Sequence, residues 1–296
     1  MYKYGMWNFF ITSWRMLSFD ITANIKGNLT DFSSPKVMGI LNITPDSFFE
    51  KSRKQTEKEI IERVWQMIED GADIIDVGGY SSRPSTVFVD EEEEKHRLEW
   101  GLKILFREFP DVIVSVDTFR SEIARQCVED WGVAIINDIS AGGLDEKMFD
   151  TVASLQVPYI AMHIRGNPQT MMENTLYDNL MQEILLYFAD KINQLRRIGV
   201  NDIWIDPGFG FSKTTLQNFE ILEKLEEFHI FELPVIVGFS RKTLIRETLG
   251  VSADESLNGT TALNMFALIK GARILRVHDV KEAVQTVQLF NNIKMS

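Results

Sequence analysis

The sequence predicts an α/β fold: a (β/α)8 TIM barrel with a short N-terminal β-hairpin. Three observations carry this expectation. From residue 36 onward a Val/Ile-rich run, a polar loop and an amphipathic helical pattern recur eight times. The runs are apolar throughout rather than alternating, as parallel strands buried on both faces require. Each run also ends in small polar or charged groups, and barrels of this kind carry their chemistry at the carboxyl ends of the strands. An open doubly wound sheet is the alternative, but no glycine-rich dinucleotide fingerprint follows the first strand.

Residues 1–35 read as an N-terminal extension and hairpin, and residues 36–296 as one barrel domain. "MYKYGMWNFFITSWR" is aromatic and lightly basic. It lacks the aliphatic core and small-residue cleavage site of a signal peptide, so it reads as an extension, with Met16 an alternative start. "LSFDITANIKGNLTDFSS" alternates loosely and turns at Lys26-Gly27-Asn28, which predicts the hairpin. The barrel strands are expected at Val37–Ile43, Ala72–Gly78, Val112–Asp117, Val133–Ile139, Tyr159–His163, Asp202–Asp206, Val235–Gly238 and Ala272–Val277. Helical patterns begin near Thr56, Asp90, Ser121, Asp145, Asn174, Thr215, Lys242 and Val280. "TEKEIIERVWQMIEDG" and "NLMQEILLYFADKINQLRRIG" show apolar residues at i, i+3, i+4 and i+7. Gly71, Gly132 and Gly199 stand where a helix stops in a left-handed turn before the next strand. No Gly-, Ser- or Pro-rich linker divides the barrel region.

Composition excludes several classes. A hydrophobic fraction of 45% with 25% charged residues is that of a globular protein. The net charge of −12 argues against a general nucleic-acid or anionic-membrane binder. A small anionic substrate must therefore meet locally placed Arg and Lys. The run Asp90–Glu94 reads as the acidic, solvated first turn of a helix, which suits the helix dipole. The single cysteine, Cys127, reads as packed mid-helix and fits a cytoplasmic location. No apolar run is long enough to cross a bilayer.

The eight strand ends carry Asn42; Asp76 with Ser82 and Arg83; Asp117; Asn137 and Asp138; His163 and Arg165; Asp206; Ser240, Arg241 and Lys242; and Arg276, His278 and Asp279. Asp117, Asn137 and Asp206 suit a flat heterocycle with an N–H/NH₂ edge, because a carboxylate accepts two parallel hydrogen bonds from such an edge. Arg83, Arg241, Lys242, Arg276 and His278 suit phosphate or diphosphate. Asn42 is a hard oxygen ligand able to join a Mg²⁺ that also binds phosphate. A plainer reading stands beside each. Barrel-end Asp and Asn often cap helices, and Asp76 and Asp138 read as structural. His163 reads equally as a hydrogen-bonded rim histidine, and Arg165 as the partner of a surface carboxylate.

"MGILNITPDSF", "DVGGYSSRP", "SVDT", "IIND", "AMHIRGNPQTM", "DPGFGFSK", "VGFSRK" and "RVHD" resemble, in order and spacing, the signature blocks of the dihydropteroate synthases. The resemblance runs from residue 36 to the last helix. It implies joining of 4-aminobenzoate to 6-hydroxymethyl-7,8-dihydropterin diphosphate, with pyrophosphate as the second product. It implies that Asp117, Asn137, Asp206 and Lys242 hold the pterin. Arg276 would stack on the ring and, with His278, hold the diphosphate. Asn42 would hold Mg²⁺. Pro45 and Phe48 would lie in a lid loop. Ser82, Arg83, Pro84, Phe211, Ser240 and Lys242 would bound the aminobenzoate pocket, where sulfonamides would compete. It also implies a homodimer. The sequence departs from the family at Tyr80, usually Glu, at Ser82, often Thr, and in "SFFEKSR", which replaces a Gly-containing loop.

The implied mechanism is dissociative, with cleavage of the C–O bond to diphosphate before the amine attacks, and it needs no nucleophilic side chain. Asp117, Lys242, Arg276 and His278 are the catalytic candidates. Two alternatives are a catalytically silent pterin-binding homologue and a methyltetrahydrofolate-dependent corrinoid methyltransferase. The first predicts loss of Asn42, Asp117, Lys242 or Arg276, and all are present. The second has no need of the "SRK" lysine or the "RVH" cations.

Overall fold

The computed structural model describes residues 22–43, 53–80 and 89–295. An antiparallel hairpin, β1 (Thr22–Ile25) and β2 (Asn28–Asp31), precedes the barrel. The barrel strands are β3 (Lys36–Asn42), β4 (Ile74–Gly78), β5 (Val114–Asp117), β6 (Ile135–Asp138), β7 (Tyr159–Met162), β8 (Ile203–Asp206), β9 (Ile236–Val237) and β10 (Ile274–Val277). They pair in parallel in the order β8-β7-β6-β5-β4-β3-β10-β9. A parallel bridge between Ile205 and Val235, and a bond from the Ile205 amide to the Pro234 carbonyl at 3.0 Å, bring β8 back to β9 and close the ring.

The helices are α1 (Arg53–Glu69), α2 (Glu91–Glu108), α3 (Ser121–Trp131), α4 (Met148–Leu155), α5 (Leu180–Arg197), α6 (Thr215–Glu223), α7 (Thr243–Leu249), α8 (Leu257–Ile269) and α9 (Val280–Met295). The unit before β10 differs from the expectation of one helix. α7 stops at Gly250 in a left-handed conformation, and a 3₁₀ turn at Asp254–Ser256 leads into α8. Several strands also begin one or two residues later than expected, because residues such as Ala72 and Asp73 still belong to the incoming turn. The Asp90–Glu94 run opens α2 with Asp90 as N-cap, its carboxylate accepting the Glu93 amide at 2.9 Å. Glu94 departs from the solvated reading. It is fully buried and paired with Arg120.

Two apolar layers form the core. The outer layer lies between strands and helices and holds Val64, Leu98, Leu102, Ile184 and Phe188, with buried Cys127. The inner layer fills the lower end of the barrel. There Ala23, Ile25 and Phe32 of the hairpin region pack against Met38, Ile74, Ile135, Ile160, Trp204, Ile236 and Ile274. Phe32 meets Trp204 edge-on, with ring centroids 4.8 Å apart. The hairpin therefore plugs the amino end of the barrel and leaves the carboxyl end for polar groups. No described helix is long and apolar enough to cross a membrane.

Candidate active site

Strand register assembles the polar end. Asn42 pairs with Gly78, Gly78 with Asp117, and Asp117 with Asn137, so four neighbouring strands align one row of positions at their carboxyl ends. Gly78 leaves this row open between Asn42 and Asp117. A Cβ there would lie 3.5 Å from Asn42 Oδ1 and 3.8 Å from the Asp117 Cβ. Asp206 ends β8, and Arg276 rises from β10.

Arg276 joins these groups. Its Nε donates to Asp76 Oδ2 at 2.6 Å and its Nη2 to Asp117 Oδ2 at 2.7 Å. Asn137 donates to the same Asp76 oxygen at 3.2 Å. Burial pushes the Asp117 carboxyl up to about 7; Arg276 opposes this and the neighbouring Asp76 adds to it. Asp206 is also raised by burial, against the pull of Lys242. Burial lowers Lys242 to about 8, with the Asp206 carboxylate holding it from falling further. Arg276 loses solvation too, but Asp76 and Asp117 outweigh that and hold its proton more tightly.

The loop after β8, "DPGFGFSK", forms one wall. Asp206 Oδ1 accepts the Gly208 amide at 2.7 Å. Gly208 takes φ of 72° and passes so close to β7 that a Cβ would sit 2.1 Å from the His163 carbonyl oxygen. Lys213 ties the loop down. Its ammonium is buried and donates to the Phe211 carbonyl at 2.8 Å and the Gly208 carbonyl at 3.0 Å, with His163 Nδ1 at 3.0 Å. Burial drives Lys213 well below its usual range, and burial with the adjacent Lys213 does the same to His163. A neutral His163 can accept a hydrogen bond from the lysine through Nδ1. Phe211 lies beneath Lys242, whose Nζ is 4.9 Å from the ring centroid and donates to the Phe209 carbonyl at 2.5 Å.

Other expected residues sort as follows. Ser240 Oγ accepts the His278 amide at 3.2 Å and lies 3.1 Å from His278 Nδ1, so these two stand together at the rim. Arg241 turns outward to Asp279 at 2.8 Å and Asp254 at 3.5 Å. Asn42 is exposed at the end of β3. Asp138 is a structural residue, accepting from Ser140, Gly142 and Tyr159. Arg165 pairs with Glu183 and stacks over Tyr177 at 3.7 Å. Tyr80 packs edge-on to Phe119 and accepts a hydrogen bond from Gln169. Pro45, Phe48, Ser82, Arg83 and Pro84 lie outside the described residues. Asp76, a strand-end residue read as structural, pairs with Arg276. Lys213 carried no separate expectation.

The sequence matches the pterin binding enzyme family over residues 38–278. The dihydropteroate synthase of Escherichia coli strain K12 is 40% identical over 267 residues, covering 89% of this chain and 93% of that protein. That of Streptococcus pyogenes is 38% identical over 261 residues, covering 87% and 95%. Among solved structures, the Yersinia pestis dihydropteroate synthase with a sulfonamide drug superposes with a TM-score of 0.85 at 35% identity, over 93% of this chain and 99% of that one. The Xanthomonas albilineans enzyme with 4-aminobenzoic acid gives 0.84 at 31% identity, over 94% and 100%. Eight parallel strands in one closed ring, the ordered polar strand ends and these relatives agree: the chain belongs to the dihydropteroate synthase family of pterin-binding enzymes.

Proposed function

We propose that the protein condenses 4-aminobenzoate with 6-hydroxymethyl-7,8-dihydropterin diphosphate, giving 7,8-dihydropteroate and pyrophosphate. The observation that carries this reading is the placement of two cations beside a carboxylate floor. Arg276 is paired with Asp117 at 2.7 Å, and Lys242 is near enough to the buried Asp206 for each to act on the other's charge. Such a cluster can bind the hydrogen-bonding edge of a heterocycle on one side and a leaving diphosphate on the other.

In this reading Asp117, Asn137, Asp206 and Lys242 hold the pterin, and Arg276 and His278 face the diphosphate. The carbon–oxygen bond to diphosphate breaks first, and its electron pair leaves with pyrophosphate. Ionised Asp117 and Asp206 add negative potential beside the resulting cation. The aminobenzoate nitrogen then attacks that carbon and loses a proton to solvent. Phe211, Ser240 and Lys242, with Ser82, Arg83 and Pro84, bound the aminobenzoate and sulfonamide position. Pro45 and Phe48 belong to the covering loop.

Asn42 would give Mg²⁺ one neutral oxygen. Among the described residues no three His, Cys, Asp or Glu side chains cluster to hold a metal. That donor set fits an ion whose shell is completed by diphosphate oxygens and water. When bound, Mg²⁺ supplies charge neutralisation on the leaving group. A cytoplasmic homodimer completes the proposal. The exposed apolar side chains of Leu249, Phe266, Ile269 and Leu289 on α7, α8 and α9 support a partner surface.

The test is pyrophosphate release from the pterin diphosphate with Mg²⁺, with and without 4-aminobenzoate, on the native chain and Lys242→Ala. Release coupled to dihydropteroate formation, and lost in the variant, is the expected result. Tight pterin binding without release would instead favour a silent pterin-binding homologue.

A further inference from the structure

We infer that Asp76 is a positioning residue for Arg276, built to hold that arginine in either of two registers. This inference rests on the reading of Arg276 as a diphosphate and pterin contact. In the structure Nε of Arg276 is bound to Asp76, and Nη2 to Asp117. Nε and Nη2 lie on one edge of the guanidinium, the edge whose two parallel N–H groups match the two oxygens of a single carboxylate. Here that edge is split between two carboxylates. While Nη2 is bound, one lone pair of Asp117 Oδ2 is already taken, and the carboxylate is a weaker acceptor for a heterocycle edge.

Asp76 has the means to release it. Its side chain is fully buried, and Oδ2 already takes Arg276 Nε and Asn137 Nδ2. Its other oxygen, Oδ1, has no hydrogen-bond partner among the described residues. A buried carboxylate oxygen without a donor is costly, so such atoms are rare unless function retains them. Rotation of the guanidinium about the retained Nε–Oδ2 bond lets Nη2 exchange Asp117 for Asp76 Oδ1. The pair becomes bidentate, and Asp117 regains the lone pair that Nη2 held. Both registers keep Arg276 charged and paired, so its movement strands no buried ion.

A double-mutant cycle tests this on the full-length chain. Asp76→Asn keeps the shape but removes the charge and one acceptor. It is expected to lower kcat/KM for the pterin diphosphate about 10- to 100-fold, the scale of one hydrogen bond to a charged group. In an Arg276→Ala background the same change should alter kcat/KM by less than about threefold, because Asp76 acts through the arginine. A loss that persists without Arg276, or no loss in the single variant, overturns the inference. Arg276→Lys keeps Asp76 in place should Asp76→Asn fail to fold. One ammonium cannot present a two-donor edge, so it is expected to fall within about threefold of Arg276→Ala. Recovery of native kcat/KM by lysine overturns the inference as well. If the native chain releases no pyrophosphate, the synthase reading has failed instead. The same cycle is then read from calorimetric binding of the pterin diphosphate.

Discussion

At the scale of single residues the site is a set of ionisations set against one another. In the proposed function Asp117 accepts a heterocycle edge fully only when ionised, and burial pushes its carboxyl up to about 7. Lys242 contributes positive charge only when protonated, and it titrates near about 8. Since kcat/KM reports groups of the free enzyme, its pH profile should be a narrow bell. Activity falls below pH about 7 as Asp117 gains its proton, and above pH about 8 as Lys242 loses its own. Because the groups interact, the limbs belong to the cluster rather than to either residue alone. Asp117→Asn should abolish the acid limb along with most activity. A flat profile from pH 6 to 9 would contradict these assignments. The polar strand ends were legible in the sequence because each closes an apolar run. The partnerships were not. Arg276 and Asp76 are 200 residues apart, and nothing local to "IIDVGG" distinguishes a buried ion-pair partner from a structural carboxylate. Lys213 was hidden for a similar reason, since a lone lysine after a Gly-rich loop reads as solvated until His163 is seen against it.

At the scale of elements, the loop after β8 shows how backbone geometry holds side chains in place. Asp206, Phe211 and Lys213 sit within eight residues, and Gly208 is the point where that segment presses on β7. Gly208→Ala meets two penalties together: a left-handed φ, and a Cβ only 2.1 Å from the His163 carbonyl oxygen. The loop must shift, carrying Asp206 off its Gly208 amide and Phe211 from beneath Lys242. We expect a loss of more than about tenfold in kcat/KM, since an ångström of misplacement costs that much or more. Steady-state kinetics with a melting curve on the same sample would check it, and native kinetics would show the contact to be dispensable. The alternation of strands and helices was legible from periodicity, except in the unit before β10. Boundaries were less so where apolar content continues through a turn. The segment from Lys242 to Ile269 is apolar on both sides of Gly250, so one helical pattern concealed α7, a 3₁₀ turn and α8.

At the scale of the whole molecule, the barrel separates stability from chemistry along its axis. The lower end is closed by the hairpin, with Phe32 against Trp204 and Ala23 and Ile25 beside it. The upper end holds Asp206, which is buried, and Asp117, Lys242 and Arg276, which are partly buried, so these charges lose part of their hydration and are costly to place there. This division makes opposite substitutions behave oppositely. Phe32→Ala removes a ring that is 1% exposed and leaves a cavity under the barrel. It should cost about 3–5 kcal/mol of unfolding free energy. Because the perturbation lies at the far end of the strands from the site, kcat/KM at a temperature well below melting should stay within about a factor of two of native. Lys242→Ala should do the reverse. It removes a desolvated cation from a polar pocket, so melting should change little or rise while turnover collapses. Urea unfolding and kinetics on both variants give the two axes of this comparison. A Phe32→Ala chain that lost activity in proportion to stability would mean that the hairpin plug sets the strand register on which the upper row, Asn42 through Asn137, depends.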